Sequence, residues 1–339
     1  MNAGPPTISF VVATLNERRY IQACLDSLLG QDYPADRIDV AVADGGSTDG
    51  TADVVAAVAR EDTRVRLLAN PKRVAAAGFN VGIRHTTGDL VSLAGAHSST
   101  RPDYARRLAD AFERSGAVLV GGRAVACPSR ATASAAAIAR VTSSPFGVGA
   151  ATFRYGATPG WVNTAFPGAY RRCLFDRIGY FDEALDRNSD DEFHLRAREA
   201  GYRMWYEPEL VSTYFTRPSL AALRRQYLDY GRWRAATLAK HGKVASAAQL
   251  APAALVLAIA ATTVAPRRVR RLLCGAVAPS YAAFLLAGMT REARRGACLA
   301  ETALVGPALV TLHLSYGLGF WGGLVRRAAA PLAGAGRPR

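Results

Sequence analysis

No two of the five cysteines (Cys24, Cys127, Cys173, Cys274 and Cys298) stand in CxxC spacing, and none is grouped with histidines at zinc-site offsets. That excludes a zinc finger or thioredoxin-like motif. The odd count argues against a disulfide framework, so buried free thiols in a reducing compartment are expected. The N-terminus has no basic stretch followed by a long apolar core, so no secretory leader is expected, and the short run Ile8–Thr14 reads as a strand. No GxGxxG follows a predicted strand, which disfavours a nicotinamide-dependent enzyme. Acidic residues almost vanish towards the end: only Glu292 and Glu301 stand after residue 245.

The net charge of +15 is therefore confined to one part of the chain. Residues 1–215 hold 24 basic and 24 acidic residues, 216–245 hold 7 and 1, and 246–339 hold 11 and 2. A nucleic-acid enzyme would spread positive charge over its catalytic part, so no nucleic-acid partner is expected. Here the excess flanks three apolar segments, 248–265, 272–290 and 302–325, of 18, 19 and 24 residues. A bilayer crossing takes roughly 20 residues. A buried helical hairpin is the alternative for the first two. Three crossings would carry Arg267, Arg268, Arg270 and Arg271 away from the catalytic side, against the positive-inside tendency. The expected organisation is a catalytic domain at 1–215, a basic amphipathic interfacial helix at 216–245, membrane helices at 246–327 and a flexible tail at 328–339. A neutral part of 215 residues is far too large for a transporter loop.

Within that part, β-branched apolar runs at 8–14, 39–43, 65–68 and 90–94 alternate with helical patterns up to residue 115. This βαβαβ rhythm predicts a mostly parallel α/β sheet with ligands at the strand C-termini. Residues 118–164 read as a loop-and-helix excursion. Strands at 168–172, 204–206 and 211–215 and helices at 175–181, 190–201 and 219–240 complete the pattern.

Three clusters carry chemistry. Thr14-Leu15-Asn16-Glu17 and the Asp44–Thr51 loop each follow a strand, where a carboxylate can accept from a ribose hydroxyl. Simple helix capping by Asp44 and Ser47 explains the same residues. Gly95-Ala96-His97 follows the fourth strand, where His97 is either a ligand or a satisfied polar residue. Asn188-Ser189-Asp190-Asp191-Glu192 opens a helix and could supply a general base, or only caps and solvated charge.

Together these motifs resemble family 2 glycosyltransferases of the GT-A fold. The resemblance runs through Ala13–Glu17, Val42–Thr51, Asn70-Pro71-Lys72-Arg73, 77–83 and Gly88-Asp89, and covers about residues 7–240. The succinoglycan-biosynthesis type, with C-terminal membrane segments, is the subgroup it looks most like. The resemblance implies a GT-A (Rossmann-like) mixed sheet with flanking helices, followed by membrane helices. It implies that Thr14, Asn16, Glu17, Asp44, Lys72, Arg73 and Asn80 serve the donor nucleotide, with Lys72 or Arg73 on the diphosphate. His97 would hold a divalent metal, Mn2+ or Mg2+, although Gly95 replaces the family's first Asp. Asp190 is read as the base ahead of Asp191, with Ser189 replacing the usual Glu. Trp161 would stack on a sugar or simply pack. Gln226, Arg232 and Trp233 would meet a diphosphate or the membrane interface. The implied activity is inverting transfer from a nucleotide sugar, UDP-linked first, to a polyprenyl-linked or glycan acceptor in polysaccharide biosynthesis. The catalytic domain would face the cytoplasm on the inner membrane. A degenerate, non-catalytic scaffold is the rival reading, prompted by Gly95 and Ser189.

Overall fold

A computed structural model describes residues 4–149, 151–243 and 246–329. The described chain divides into two compact units. One runs to Ser129 and resumes from Thr142 to Thr216; the other takes Arg130–Val141 and the chain from Arg217 onward.

The first unit is built on one sheet of nine strands: β1 (Ile8–Thr14), β2 (Ile38–Asp44), β3 (Val65–Ala69), β4 (Leu90–Gly95), β5 (Ser98–Thr100), β6 (Leu119–Cys127), β7 (Gly160–Val162), β8 (Gly168–Arg171) and β9 (Met204–Phe215). Their order is β3-β2-β1-β4-β8-β6-β9-β5, with β7 on the outside of β9. The β3-β2-β1-β4 half is parallel, β8 is antiparallel to both its neighbours, and β6 and β9 are parallel to each other. The sheet is thus mixed and mostly parallel, as expected.

Both faces of the parallel half are covered, which is why its strands are continuously apolar rather than alternating. Ile8, Phe10 and Val12 of β1 enter one core, and Val11 enters the other. Helix α1 (Arg18–Leu29) presents Ile21, Cys24, Leu25 and Leu28 to the first core, at the spacing of one helical face. Helices α2 (Thr51–Glu61), α3 (Ala75–Arg84) and α4 (Tyr104–Ser115) fill the crossovers.

Two sequence expectations are corrected here. Residues 118–164 are not only loop and helix, because β6 lies inside that stretch. Its apolar signal is broken by Gly121 and Gly122, which sit where the chain passes closest to its neighbours. A Cβ on Gly121 would lie 2.2 Å from the Ala165 Cβ, and one on Gly122 would lie 2.2 Å from the Leu210 carbonyl oxygen. The strands expected at 204–206 and 211–215 are one strand, β9. Pro208 interrupts the pattern, and a register shift against β6 absorbs it: Gly122 faces Glu207, while Arg123 faces Val211. Because the carbonyl facing Gly122 is backbone and cannot step aside, Gly122→Ala is expected to destabilise by about 2 kcal/mol. Thermal unfolding should then begin roughly 5 °C lower.

The remaining helices of this unit are α6 (Pro145–Val148), α7 (Cys173–Ile178) and α8 (Ser189–Glu199). The second unit holds α5 (Ala133–Thr142, through Val141), α9 (Leu220–His241), α10 (Ala251–Val264), α11 (Arg267–Arg294) and α12 (Leu299–Ala329). Glycines let α9, α10 and α12 approach backbone to backbone. A Cβ on Gly231 would meet the Tyr316 carbonyl at 2.0 Å, one on Gly319 the Leu228 carbonyl at 2.1 Å, and one on Gly317 the Pro252 carbonyl at 2.3 Å. This is small-residue packing of the kind used between helices in lipid. Helix α9 turns Leu223, Tyr227, Gly231 and Ala235 inward and leaves Arg224 and Arg225 exposed.

Among the described residues three helices are long and apolar enough to cross a membrane: Ala247–Val264, Arg267–Arg294 and Leu299–Ala328. The first two are barely covered by other protein and expose Leu257, Val264, Leu272 and Leu286. That apolar surface disfavours the buried-hairpin alternative. Of the tail expected at 328–339, Ala328 and Ala329 end α12, and 330–339 lie outside the described residues.

Candidate active site

The site is assembled from loops at the C-terminal ends of β1, β2 and β4. Thr14 and Asp44 are register partners at the ends of adjacent strands. Asp44 is almost wholly buried, and its Oδ1 accepts from the Gly46 and Ser47 amides at 3.0 and 2.8 Å. Its Oδ2 accepts from the Ser47 hydroxyl at 2.5 Å. Asp44 therefore shapes its own loop and caps no helix, since α2 has Gly50 at its N-cap and receives no side-chain cap.

That loop is stitched to the one after β1. The Asn16 amide donates to Ser47 Oγ at 2.8 Å, and the Thr48 amide donates to Asn16 Oδ1 at 2.9 Å. The Glu17 amide donates to Thr51 Oγ1 at 2.9 Å, and the Arg18 amide to Asp49 Oδ2 at 3.0 Å. Asn16 holds φ at 57°, a left-handed conformation that asparagine tolerates better than most residues. Arg73 lies over the same turn: a Cβ on Gly46 would come within 3.6 Å of its guanidinium Nη1. Thr14 Oγ1 is buried without a hydrogen-bond partner among the described residues.

Glu17 meets His97, 80 residues away, with Oε1 3.1 Å from Nδ1. A carboxylate only accepts, so Nδ1 carries the proton and Nε2 of a neutral His97 keeps its lone pair. This is how metal-binding histidines are usually oriented. Both side chains are partly exposed. Among the described residues no group of three or more His, Cys, Asp or Glu side chains could hold a metal by itself. His97 fits as one protein ligand, so the rest of a coordination sphere would have to come from substrate and water. Gly95 leaves room beside it: an added Cβ would meet nothing nearer than Ser98 Oγ at 3.5 Å.

The opening of α8 forms a second group. Glu192 is buried and turned onto Arg196, 3.0 Å away, so it does not join the other two acids. Asp191 Oδ1 accepts from the Thr164 hydroxyl at 2.5 Å, and Thr164 Oγ1 is also 2.9 Å from His194 Nδ1. His194 Nε2 lies 2.9 Å from the Tyr170 hydroxyl. Asp190 and Asp191 both lie close enough to Tyr170 to raise its phenol pKa, although burial raises it more. Tyr170 belongs to β8, the strand beside β4, where it faces Val91.

Some expected binders have other tasks. Asn80 is buried, with its amide donating to the Phe181 carbonyl at 2.9 Å and to Glu183 Oε1 at 2.8 Å, and its Oδ1 accepting from the Phe181 amide at 3.0 Å. It pins the segment before α8. Lys72 pairs with the same Glu183. Trp161 sits on β7, outside β9 and four strands from β4. Its ring packs edge-on against Trp205 and under Arg203. Despite this packing the residue stays 42% exposed. In the second unit, the Gln226 amide donates to the Tyr230 hydroxyl, Arg232 pairs with Asp229 at 3.0 Å, and Trp233 is half-buried.

Sequence reading missed Thr164 and His194, whereas Tyr170 and Glu183 lie in stretches, 166–172 and 178–183, that resemble the family's acceptor-side segment. His194 lies among buried helix positions and Thr164 in an irregular segment, so no local pattern marks either. Burial holds His194 down at about pKa 4 against 6.5 for an ordinary histidine, with Asp191 opposing and Arg198 assisting. The unfolded chain therefore takes up this proton first. The stability it confers is complete above pH 6.5 and falls as pH drops towards 4. At pH 5 the loss should be on the order of 2 kcal/mol, and His194→Gln should flatten the pH dependence of the urea midpoint.

The mixed sheet, the loops at its parallel ends and the acidic helix start define a Rossmann-like α/β architecture with its candidate site at the strand C-termini. Residues 9–179 match the family model "Glycosyl transferase family 2", and the chain belongs to that family. It is 31% identical to the succinoglycan biosynthesis protein ExoA of Rhizobium meliloti, over 92% of this chain and 93% of that protein. It is 28% identical to a dolichyl N-acetyl-alpha-D-glucosaminyl phosphate 3-beta-D-2,3-diacetamido-2,3-dideoxy-beta-D-glucuronosyltransferase of Methanococcus voltae, over 66% of this chain and 71% of that one. The fold is that of the mannosyltransferase PcManGT from Pyrobaculum calidifontis, solved with GDP-Man and Mn2+. The match has a TM-score of 0.52 at 21% identity and covers 96% of this chain and 86% of that one.

Proposed function

We propose that this glycosyltransferase moves a sugar, with inversion, from a nucleotide-diphosphate donor to a lipid-linked or glycan acceptor at the cytoplasmic face of the inner membrane. The observation that carries the reading is the Glu17–His97 pair beside the stitched β1 and β2 loops. The Asp44 loop and Arg73 would receive the nucleotide and its diphosphate. A divalent cation at His97, when bound, would offset the charge that builds up on the departing diphosphate. The ExoA and Methanococcus relatives, by their names, build glycans, one of them on a dolichyl-linked sugar, which favours a polyprenyl-linked acceptor. Arg232 and Trp233 on α9 would serve that acceptor's phosphates or the bilayer interface.

Asp190 is the proposed base. It takes the proton of the acceptor hydroxyl while that oxygen attacks the anomeric carbon. The bond from that carbon to the diphosphate breaks, and its electron pair leaves with the nucleotide diphosphate. A single displacement of this kind inverts the anomeric centre.

A thermal-shift screen of nucleotide sugars with and without Mn2+ tests the donor site. One donor class should raise the melting temperature only when the metal is present, and His97→Ala should remove the metal dependence. A screen in which no nucleotide sugar shifts the wild-type chain counts against the reading. Since the space beside Gly95 is open, Gly95→Asp should fold normally and tighten Mn2+ binding by about tenfold, as a carboxylate suits that ion.

A further inference from the structure

We propose that Tyr170, His194 and Thr164 form a one-directional hydrogen-bond relay that ends on Asp191 and fixes the first turn of α8, where Asp190 stands. The inference rests on the reading of Asp190 as the base and adds the residues that position it.

The direction follows from counting protons. The carboxylate of Asp191 can only accept, and its 2.5 Å contact with Thr164 has the length of a hydroxyl-to-carboxylate bond. The threonine has one proton, so its oxygen must then accept from His194 Nδ1, 2.9 Å away. His194 is buried and neutral, which leaves Nε2 without a proton, so the Tyr170 hydroxyl donates to it across 2.9 Å. The opposite histidine tautomer would set two lone pairs against each other at the Thr164 contact. The chain therefore runs Tyr170 to His194 to Thr164 to Asp191, with each donor polarising the next.

Three separate pieces of backbone meet in this relay: β8 through Tyr170, α8 through His194 and Asp191, and the segment between β7 and β8 through Thr164. Asn188, at φ 60°, sets the turn that starts α8. A relay anchored on Asp191 holds that first turn still, and catalytic carboxylates tolerate only about 0.5 Å of misplacement. It also gives the two adjacent acids different tasks: Asp191 anchors and Asp190 reacts. Tyr170, His194 and Thr164 are thus positioning residues, and none of them needs to touch substrate.

The test uses the full-length protein in lipid nanodiscs, labelled with 15N-histidine. Of the five histidines, the His194 resonances are identified as those lost in His194→Gln. Long-range 1H–15N correlation is expected to show the Nδ1–H tautomer, without titration between about pH 5 and 8. The Nε2–H tautomer, or titration inside that window, overturns the relay. Tyr170→Phe should shift the Nε2 resonance, and an unmoved resonance also overturns it. In transfer assays Thr164→Val should lower kcat by about tenfold with the donor KM unchanged, and Thr164→Ser should restore it to within about twofold, since only the hydroxyl matters. Full turnover by Thr164→Val contradicts the positioning role. Absence of transfer by the wild-type chain would count against the proposed reaction, whereas the tautomer alone decides the relay.

Discussion

Asp190→Asn is expected to lower the turnover of sugar transfer by about a thousandfold, within the range that loss of a general base produces. The amide has nearly the shape of the carboxylate but cannot take the acceptor's proton, so donor binding and the fold should be unchanged. Asp191→Asn should behave differently. Its carboxylate receives the Thr164 hydroxyl, and an amide nitrogen turned to that position would replace an acceptor with a donor. The cost there would fall on the order of α8 as well as on turnover. Steady-state kinetics with quantified nucleotide-diphosphate release, beside a thermal melt of each variant, separate the two. Equal turnover by Asp190→Asn and wild type would remove Asp190 from the reaction.

The second large effect is expected at Asp44. Alanine there strands the Gly46 and Ser47 amides and the Ser47 hydroxyl, all of which it now receives. Hydrogen bonds to a charged group are each worth about 1.5–3 kcal/mol, so even partial relaxation leaves a serious loss. Ser47 also receives the Asn16 amide, so the damage reaches the loop that carries Glu17. Donor affinity should fall by about a hundredfold, a loss of roughly 2.7 kcal/mol. Asp44→Asn keeps an oxygen for the two amides and should cost distinctly less in loop order. Calorimetric titration with the nucleotide diphosphate reads both variants. Wild-type affinity in Asp44→Ala would place the nucleotide elsewhere.

The parallel half of the fold was legible because its strands are buried on both faces and its helices carry one apolar stripe. Ile8–Thr14 and the Ile21, Cys24, Leu25, Leu28 face needed no partner to be recognised. β6 was hidden because Gly121 and Gly122 give close approach instead of side-chain burial, and β9 was split by Pro208. In the site, the motif order marked the loops after β1, β2 and β4, but which side chains meet there depended on tertiary contacts. Asn80 sits inside a family-like motif yet spends its hydrogen bonds on Phe181 and Glu183. Glu17 and His97 are far apart in sequence and meet only because β1 and β4 are neighbours. The same holds for Thr164, His194 and Tyr170, which no spacing rule connects.

A crystal structure of the full chain with a nucleotide sugar and Mn2+ is the most direct measurement. It should show the nucleotide over the Asn16–Glu17 and Asp44–Ser47 loops, the metal on His97 Nε2, and the Asp190 carboxylate facing the anomeric carbon. Density for the nucleotide away from those loops, or Asp190 turned from the sugar, would contradict the account.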